Sequence, residues 1–196
     1  MAKRLFDLLF SFMMILVLLP VLFFIALAIK VDSGGDIFFS QTRVGLRGKE
    51  FQLWKFRTMK PDSEKAGQLT VGARDNRITR IGFFLRKHKL DELPQLWNVL
   101  IGEMSMVGPR PEVPRYVAMY NQTQREVLSI KPGITDYASL QYFSESELLA
   151  KSSDPESTYI NEIMPAKLEL NLSYISNHNL INDLKIIGRT VAKMFT

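Results

Sequence analysis

The stretch LLFSFMMILVLLPVLFFIALAI, residues 8–29, carries no charge across 22 consecutive positions, and its reading decides the architecture. As a helix at roughly 1.5 Å per residue it extends about 33 Å, against a hydrocarbon core of about 30 Å. The apolar region of a cleavable signal peptide is shorter, about 7–15 residues, and is followed by small residues. The segment is therefore expected to stay in the mature protein as a membrane helix. A straight spanning helix is one form of it. The other is a bent helix that enters and leaves by the same face, favoured by two features. Pro20 removes a backbone donor and pushes Leu19 off helical geometry, and basic residues flank both ends, Lys3 and Arg4 before, Lys30, Arg43, Arg47 and Lys49 after. Positive charge prefers the cytoplasmic side, so neither end is attractive to translocate. The expectation is a re-entrant helix over residues 1–32, broken at Pro20, carrying a cytoplasmic, membrane-associated domain over 33–196. Proline is also tolerated in spanning helices, which keeps the first form open.

Working outward, Asp36–Gln41 and Phe51–Phe56 alternate in polarity on either side of Gly45 and Gly48, which predicts a small β-hairpin with Arg43, Arg47 and Lys49 at its tip. Residues 61–76 read as a polar loop. Helical spacing predicts helices over 78–90, 91–100 and 116–130, the last ended by Lys131-Pro132-Gly133. Residues 144–159 read as a surface helix followed by a loop at Asp154-Pro155. The last stretch, 180–195, places Leu180, Leu184, Ile187, Val191 and Met194 on one face and Lys185, Arg189 and Lys193 off it. Such a helix either lies on an anionic membrane or covers a core. The fold class expected is α+β, predominantly helical, with amphipathic interfacial helices around a site.

At 196 residues there is room for one ordinary domain beyond the apolar segment. A net charge of +5 suits anionic partners without choosing among phospholipid, nucleic acid and phosphorylated metabolites. The absence of cysteine excludes disulfides, thiolate catalysis and cysteine-ligated zinc, and two histidines are poor material for a histidine metal site. Any metal would be a hard cation on carboxylates.

One run stands out for chemistry, Leu90-Asp91-Glu92-Leu93-Pro94-Gln95-Leu96. Pro94 is compatible with a first helical turn, so Asp91 and Glu92 are expected at the cap and first position, where the dipole and free backbone donors stabilise anions. A carboxylate can attack a phosphoryl group covalently, and its neighbour can take a proton from an acceptor. Attack by an anion on phosphate needs charge neutralisation. Lys55, Arg57, Arg86 and Arg110 are the candidates, arginine offering a planar fork to phosphate oxygens and Arg110 being locked between Pro109 and Pro111. A magnesium ion bridging a carboxylate and a diphosphate would complete the neutralisation.

The strings KFRTM at 55–59, RITRIGFFLRK at 77–87, LDELPQLWNVL at 90–100, GEMSMVGPRP at 102–111 and KPGIT at 131–135 occur in order. With Lys3-Arg4-Leu5-Phe6-Asp7 before them and Asp183-Leu184-Lys185-Ile186 after, the chain resembles the bacterial sugar transferase family, small monotopic phosphoglycosyl transferases, over almost its whole length. The resemblance implies transfer of a sugar phosphate from a UDP-sugar to polyprenyl (undecaprenyl) phosphate with release of UMP, the first membrane step of glycoconjugate assembly at the cytoplasmic face of the bacterial inner membrane. Asp91 then resembles the nucleophile that forms a phosphosugar-aspartyl intermediate and, with the donor diphosphate, the ligand of Mg2+. Glu92 resembles the base for the acceptor, and the re-entrant helix is broken near a proline as at Leu19-Pro20. Self-association is compatible with all of this. His88-Lys89 stands where Thr-Ser is common, and Asp136-Tyr137 where Gly-Trp is common, so sugar and nucleotide contacts over 136–165 are not carried over.

The competing reading is a basic peripheral protein that binds lipid headgroups or nucleic acid without turnover. Clustering of carboxylates with arginines favours the enzyme, and aromatic interleaving of the kind single-strand binding needs is sparse, so no nucleic acid is expected. An enzyme moving only sugar from a lipid-linked donor is a third reading, separated from the first by release of UMP rather than UDP.

Overall fold

The computed structural model describes residues 2–61, 63, 71–72 and 75–195. The apolar stretch lies inside one helix, α1 (Ala2–Asp32), long and apolar enough to cross a membrane. It runs through Pro20 without interruption, so the break expected there is absent from the secondary structure. Proline forfeits one helical hydrogen bond, and packing on both sides of it, by Leu18 and Leu22, keeps the neighbouring turns helical. The inward side of α1 shows a repeat of about four residues. Phe6, Phe10, Met14 and Leu18 pack against one core and Leu22, Ala26 and the buried Ile25 and Ile29 belong to another. The outward side exposes Leu9, Phe12, Leu16, Leu19, Phe23 and Leu27.

Both ends of α1 are fastened to the body. Near its start Lys3 pairs with Asp183, Arg4 donates to the carbonyls of Val99 and Leu100 at 2.6 and 2.9 Å, and the buried Asp7 accepts from Ser105 Oγ and Met106 N at 2.9 and 3.0 Å. At its end Asp32 accepts from Ile81 N at 3.1 Å.

The predicted hairpin is present, β1 (Phe38–Val44) and β2 (Glu50–Phe56), antiparallel with Phe38 opposite Phe56 and Val44 opposite Glu50. Arg43 belongs to strand β1 rather than to the tip. The polar loop of 61–76 lies largely outside the described residues. Helix α2 (Arg80–Lys87) is capped by Thr79, whose hydroxyl accepts from Gly82 N, and Gly82 presses on the chain at Thr58 so closely that a Cβ would stand 2.0 Å from Thr58 O. On α2, Leu85 is buried and Ile81 packs beside it, while Phe84 is exposed.

After α3 (Gln95–Ile101), the strands β3 (Ser105–Val107) and β4 (Gly133–Thr135) pair in parallel, which brings the strings at 102–111 and 131–135 together. A Cβ on Gly133 would stand 2.1 Å from Gly108 N, so only glycine fits. The single helix expected over 116–130 is instead α4 (Pro114–Val117) and a separate 3-10 turn, Gln124–Ser129. The cause is local. Asn121 Oδ1 accepts from Gln124 N and Gln124 Oε1 from Asn121 N, both at 2.9 Å, a reciprocal side-chain pair that starts a new turn.

Four helices of the C-terminal third follow, α5 (Tyr137–Gln141), α6 (Glu145–Leu149), α7 (Pro155–Thr158) and α8 (Met164–Asn177). Asp154-Pro155 opens α7, Asp154 accepting from Ser157 N, where a loop was expected. The chain's last helix, α9 (Leu180–Lys193), turns Asp183 and Ile186 inward and leaves Leu180, Ile181, Leu184 and Val191 exposed. Its expected apolar stripe therefore covers no core, except at the partly buried Ile187, which packs against one.

Candidate active site

Asp91 and Glu92 sit in a 3-10 turn, Leu90–Glu92, wedged between α2 and α3, and both are buried. Lys89 enters the turn in the left-handed region, φ 54°, which reverses the chain sharply after α2. Leu93 and Pro94 continue with helical dihedrals into α3. The acids thus stand one turn ahead of α3 rather than at its cap and first position, because Pro94, lacking an N–H, takes the boundary place itself.

Glu92 is gripped from two sides. Arg110 donates through Nη1 at 3.0 Å to Oε2 and through Nη2 to Oε1, and Lys55 Nζ donates to Oε1 at 2.9 Å. Asp91 is held more loosely, with Oδ2 4.0 Å from Lys55 Nζ, and its Oδ1 is buried with no hydrogen-bond partner among the described residues. The backbone of Arg110 is fixed in turn. Its N–H donates to Asp136 Oδ2 at 3.1 Å, while Asp136 Oδ1 accepts from Ser139 N and caps α5.

These residues line one cavity of about 900 Å3 bounded by the hairpin, α2, the acidic turn, α5 and α9. Lys55, Arg86, Asp91, Glu92 and Arg110 all face it. Arg57 is not brought to them. Its Nε and Nη2 donate to the carbonyls of Asp36 and Ser33, tying the segment after α1 to the end of β2.

The electrostatics separate the two acids. Burial pushes the Asp91 carboxyl above its ordinary range, and the neighbouring Glu92 charge adds to this while Lys55 opposes it. Burial would do the same to Glu92, but the Arg110 and Lys55 cations outweigh it and hold Glu92 well below the usual carboxylate range. Burial also lowers Lys55 against the pull of Glu92, and Glu92 raises Arg110. The described residues hold no cluster of three or more histidine, aspartate or glutamate side chains that could bind a metal. The donor set present is Asp91 with its unpartnered oxygen, which fits a hard cation that takes its remaining ligands from phosphate and water, the usual manner of magnesium.

Sequence reasoning missed a second polar wall of the same cavity, made by Gln41, Arg43, Glu112, Tyr159, Glu145 and Lys167. Arg43 donates to Glu112 Oε1 at 3.1 Å and to Gln41 Oε1 at 2.7 Å, Tyr159 OH donates to Glu112, and Lys167 pairs with Glu145 at 2.7 Å. A signal existed in the two-residue spacing of Gln41 and Arg43 on one strand face and in Glu112, two residues after Arg110.

A family model described as bacterial sugar transferase matches residues 1–196. The UDP-glucose:undecaprenyl-phosphate glucose-1-phosphate transferase of Escherichia coli K12 is 38% identical over 197 residues, covering 98% of this chain and 40% of that protein. The undecaprenyl-phosphate glucose phosphotransferase of Komagataeibacter xylinus is 37% identical over 198 residues, 97% of this chain and 35% of its own. The exopolysaccharide production protein PSS of Rhizobium leguminosarum bv. phaseoli is 36% identical over 205 residues, 99% of this chain and 95% of its own. The chain thus spans about two fifths of the first relative and nearly all of the last.

Proposed function

The chain belongs to the bacterial sugar transferase family, and from that premise we propose that it moves a sugar phosphate from a UDP-sugar to polyprenyl phosphate, releasing UMP. The observation that carries the reading is the Asp91 carboxylate, which presents a buried, unpartnered oxygen in a cavity shared with Lys55, Arg86 and Arg110. A buried carboxylate with a free oxygen beside cations suits nucleophilic attack on a diphosphate better than binding of a membrane surface, where exposed lysines suffice.

In this reading the Asp91 carboxylate attacks the phosphorus that bears the sugar. The bond to the bridging oxygen breaks, its electron pair leaves with UMP, and an aspartyl phosphosugar remains. An oxygen of polyprenyl phosphate then attacks the same phosphorus, the bond to Asp91 breaks, and the carboxylate returns with a diphosphate-linked product. The order is ping-pong. Arg86 and Arg110 take the phosphate charge. Glu92 receives the acceptor's proton, and it is kept anionic until then by Arg110 and Lys55. Phosphate oxygens entering the cavity compete for those two cations, which restores basicity to Glu92 at the step that needs it. Magnesium, held by Asp91 and the donor, would neutralise diphosphate charge.

Membrane topology enters the same proposal. Both ends of α1 are bonded to one body and its inward side packs along its length, which supports a re-entrant helix with the domain on a single, cytoplasmic face. The exposed apolar residues of α9 support contact with the same membrane, the bacterial inner membrane. Donor, acceptor and lipid are then the partners.

The test is a panel of nucleotide sugars supplied with undecaprenyl phosphate and magnesium, assayed for nucleotide release. UMP release dependent on one UDP-sugar is expected. Release of UDP, or of no nucleotide from any donor, rejects the proposal.

A further inference from the structure

We propose that Gln41 is a sugar-recognition residue, placed by the hairpin beside the phosphate site and aimed by Arg43; this deepens the proposed function and rests on it. In an antiparallel pair, directly opposed residues share a face. Lys55 stands opposite Phe39, so Phe39, Gln41 and Arg43 lie on the face that carries Lys55 toward Glu92. At about 3.4 Å per residue, Gln41 sits about 7 Å along the strand from the Lys55 position and Arg43 about 14 Å from it. That first step is about the width of one pyranose ring, the distance from a phosphate held at Lys55 and Arg110 to the far edge of the sugar it carries.

The chemistry of this wall differs from that of the phosphate site. The Arg43 guanidinium is clamped by the Pro111 carbonyl and by Glu112, both at 3.1 Å, and Glu112 is itself held by Val113 N and Tyr159 OH. Its second terminal nitrogen, Nη2, donates to Gln41 Oε1 at 2.7 Å. Because a guanidinium can only donate, this bond settles which end of the amide it holds. The free end is Nε2, for which no partner exists among the described residues, and Gln41 lines the cavity. A neutral, oriented donor one ring's width from the cations is suited to a sugar hydroxyl or an acetamido carbonyl oxygen, not to another phosphate. A positioned hydrogen-bonding group discriminates between donors that present that oxygen and donors that do not.

The test uses the full chain in nanodiscs, UMP release from UDP-glucose and UDP-galactose, and UMP binding measured separately. Gln41→Leu, which keeps the volume and removes the amide, should raise KM for the better donor about three- to tenfold with a smaller change in kcat. It should also bring the kcat/KM values of the two donors together and leave UMP affinity unchanged. Gln41→Glu keeps the oxygen that Arg43 holds but loses the donor, and should show the same loss. Unchanged KM and donor preference in Gln41→Leu, recovery of the wild-type KM by Gln41→Glu, or an equal loss of UMP affinity each overturn the inference. A wild-type chain that releases no UMP from any UDP-sugar overturns this inference together with the function it rests on.

Discussion

Asp91 and Glu92 are neighbours in sequence, yet the fold supplies one with two cations and denies the other a partner for one of its oxygens. Groups whose environments push their proton affinities apart are suited to different tasks. Replacing Asp91 with Asn should lower turnover by about 10⁴-fold or more and abolish the phosphosugar adduct that intact-mass analysis should find on the wild type given donor alone. Substantial turnover by this variant removes Asp91 from the nucleophile's role. Glu92→Gln should form the adduct and pass it on about 10²–10⁴ times more slowly, seen as accumulation in a single-turnover experiment at saturating magnesium. No adduct, with fold and donor affinity intact, would place Glu92 in the first step. At this scale Arg110 was legible because its flanking prolines announce a fixed backbone. Arg57 reads as a guanidinium close to Lys55 in sequence, but β2 ends at Phe56 and the Arg57 Nε and Nη2 go to the carbonyls of Asp36 and Ser33.

Among the elements, α1 was legible as long and apolar, whereas the continuation of its helical hydrogen bonding through Pro20 was not, because proline's missing donor is visible in the sequence and the packing that tolerates it is not. The tie at Asp7 was quoted only as part of a motif. Its two bonds reach Ser105 and Met106, nearly a hundred residues away, where no local pattern could reveal them. Asp7→Ala leaves a buried backbone N–H and a hydroxyl unpaired and should cost about 1–3 kcal/mol, measured as a lowered midpoint of thermal unfolding in detergent. For topology, cysteines introduced singly at Ala2 and Gly34 into this cysteine-free chain should both be labelled from the cytoplasmic side only. Gly34 is a tolerant position, since a Cβ there meets nothing within 4 Å. Labelling of Ala2 from outside would establish a spanning helix. Helix α8 escaped prediction altogether, and the helix expected over 116–130 dissolved into two turns, because Asn121 and Gln124 cap each other more strongly than the apolar spacing binds them.

Taken whole, the molecule shares one of its cores between α1 and the residues that follow it. Ile25 and Ile29 are buried with Phe56 and Leu85, and burial of such side chains is worth roughly 1.5–3 kcal/mol each. A variant lacking residues 2–31 is therefore expected to aggregate or unfold rather than yield a soluble domain, which circular dichroism and limited proteolysis would reveal. A folded, monodisperse product would mean that the helix is dispensable to the core.

The bond between Lys3 and Asp183 joins the third residue to one 180 positions later. A ribosome adding about 5–20 residues per second needs roughly 10–40 s to make the span between them. Throughout that interval α1 has been made while α9, which supplies the partner of Lys3, does not yet exist. On the proposed topology the helix waits in the bilayer with its inward stripe against lipid, and the wall of the cavity that α9 supplies is added last. On the proposed topology insertion thus precedes completion of the fold, and a nascent chain stalled before residue 183 would hold Arg4 and Asp7 in place while Lys3 still lacked its acid.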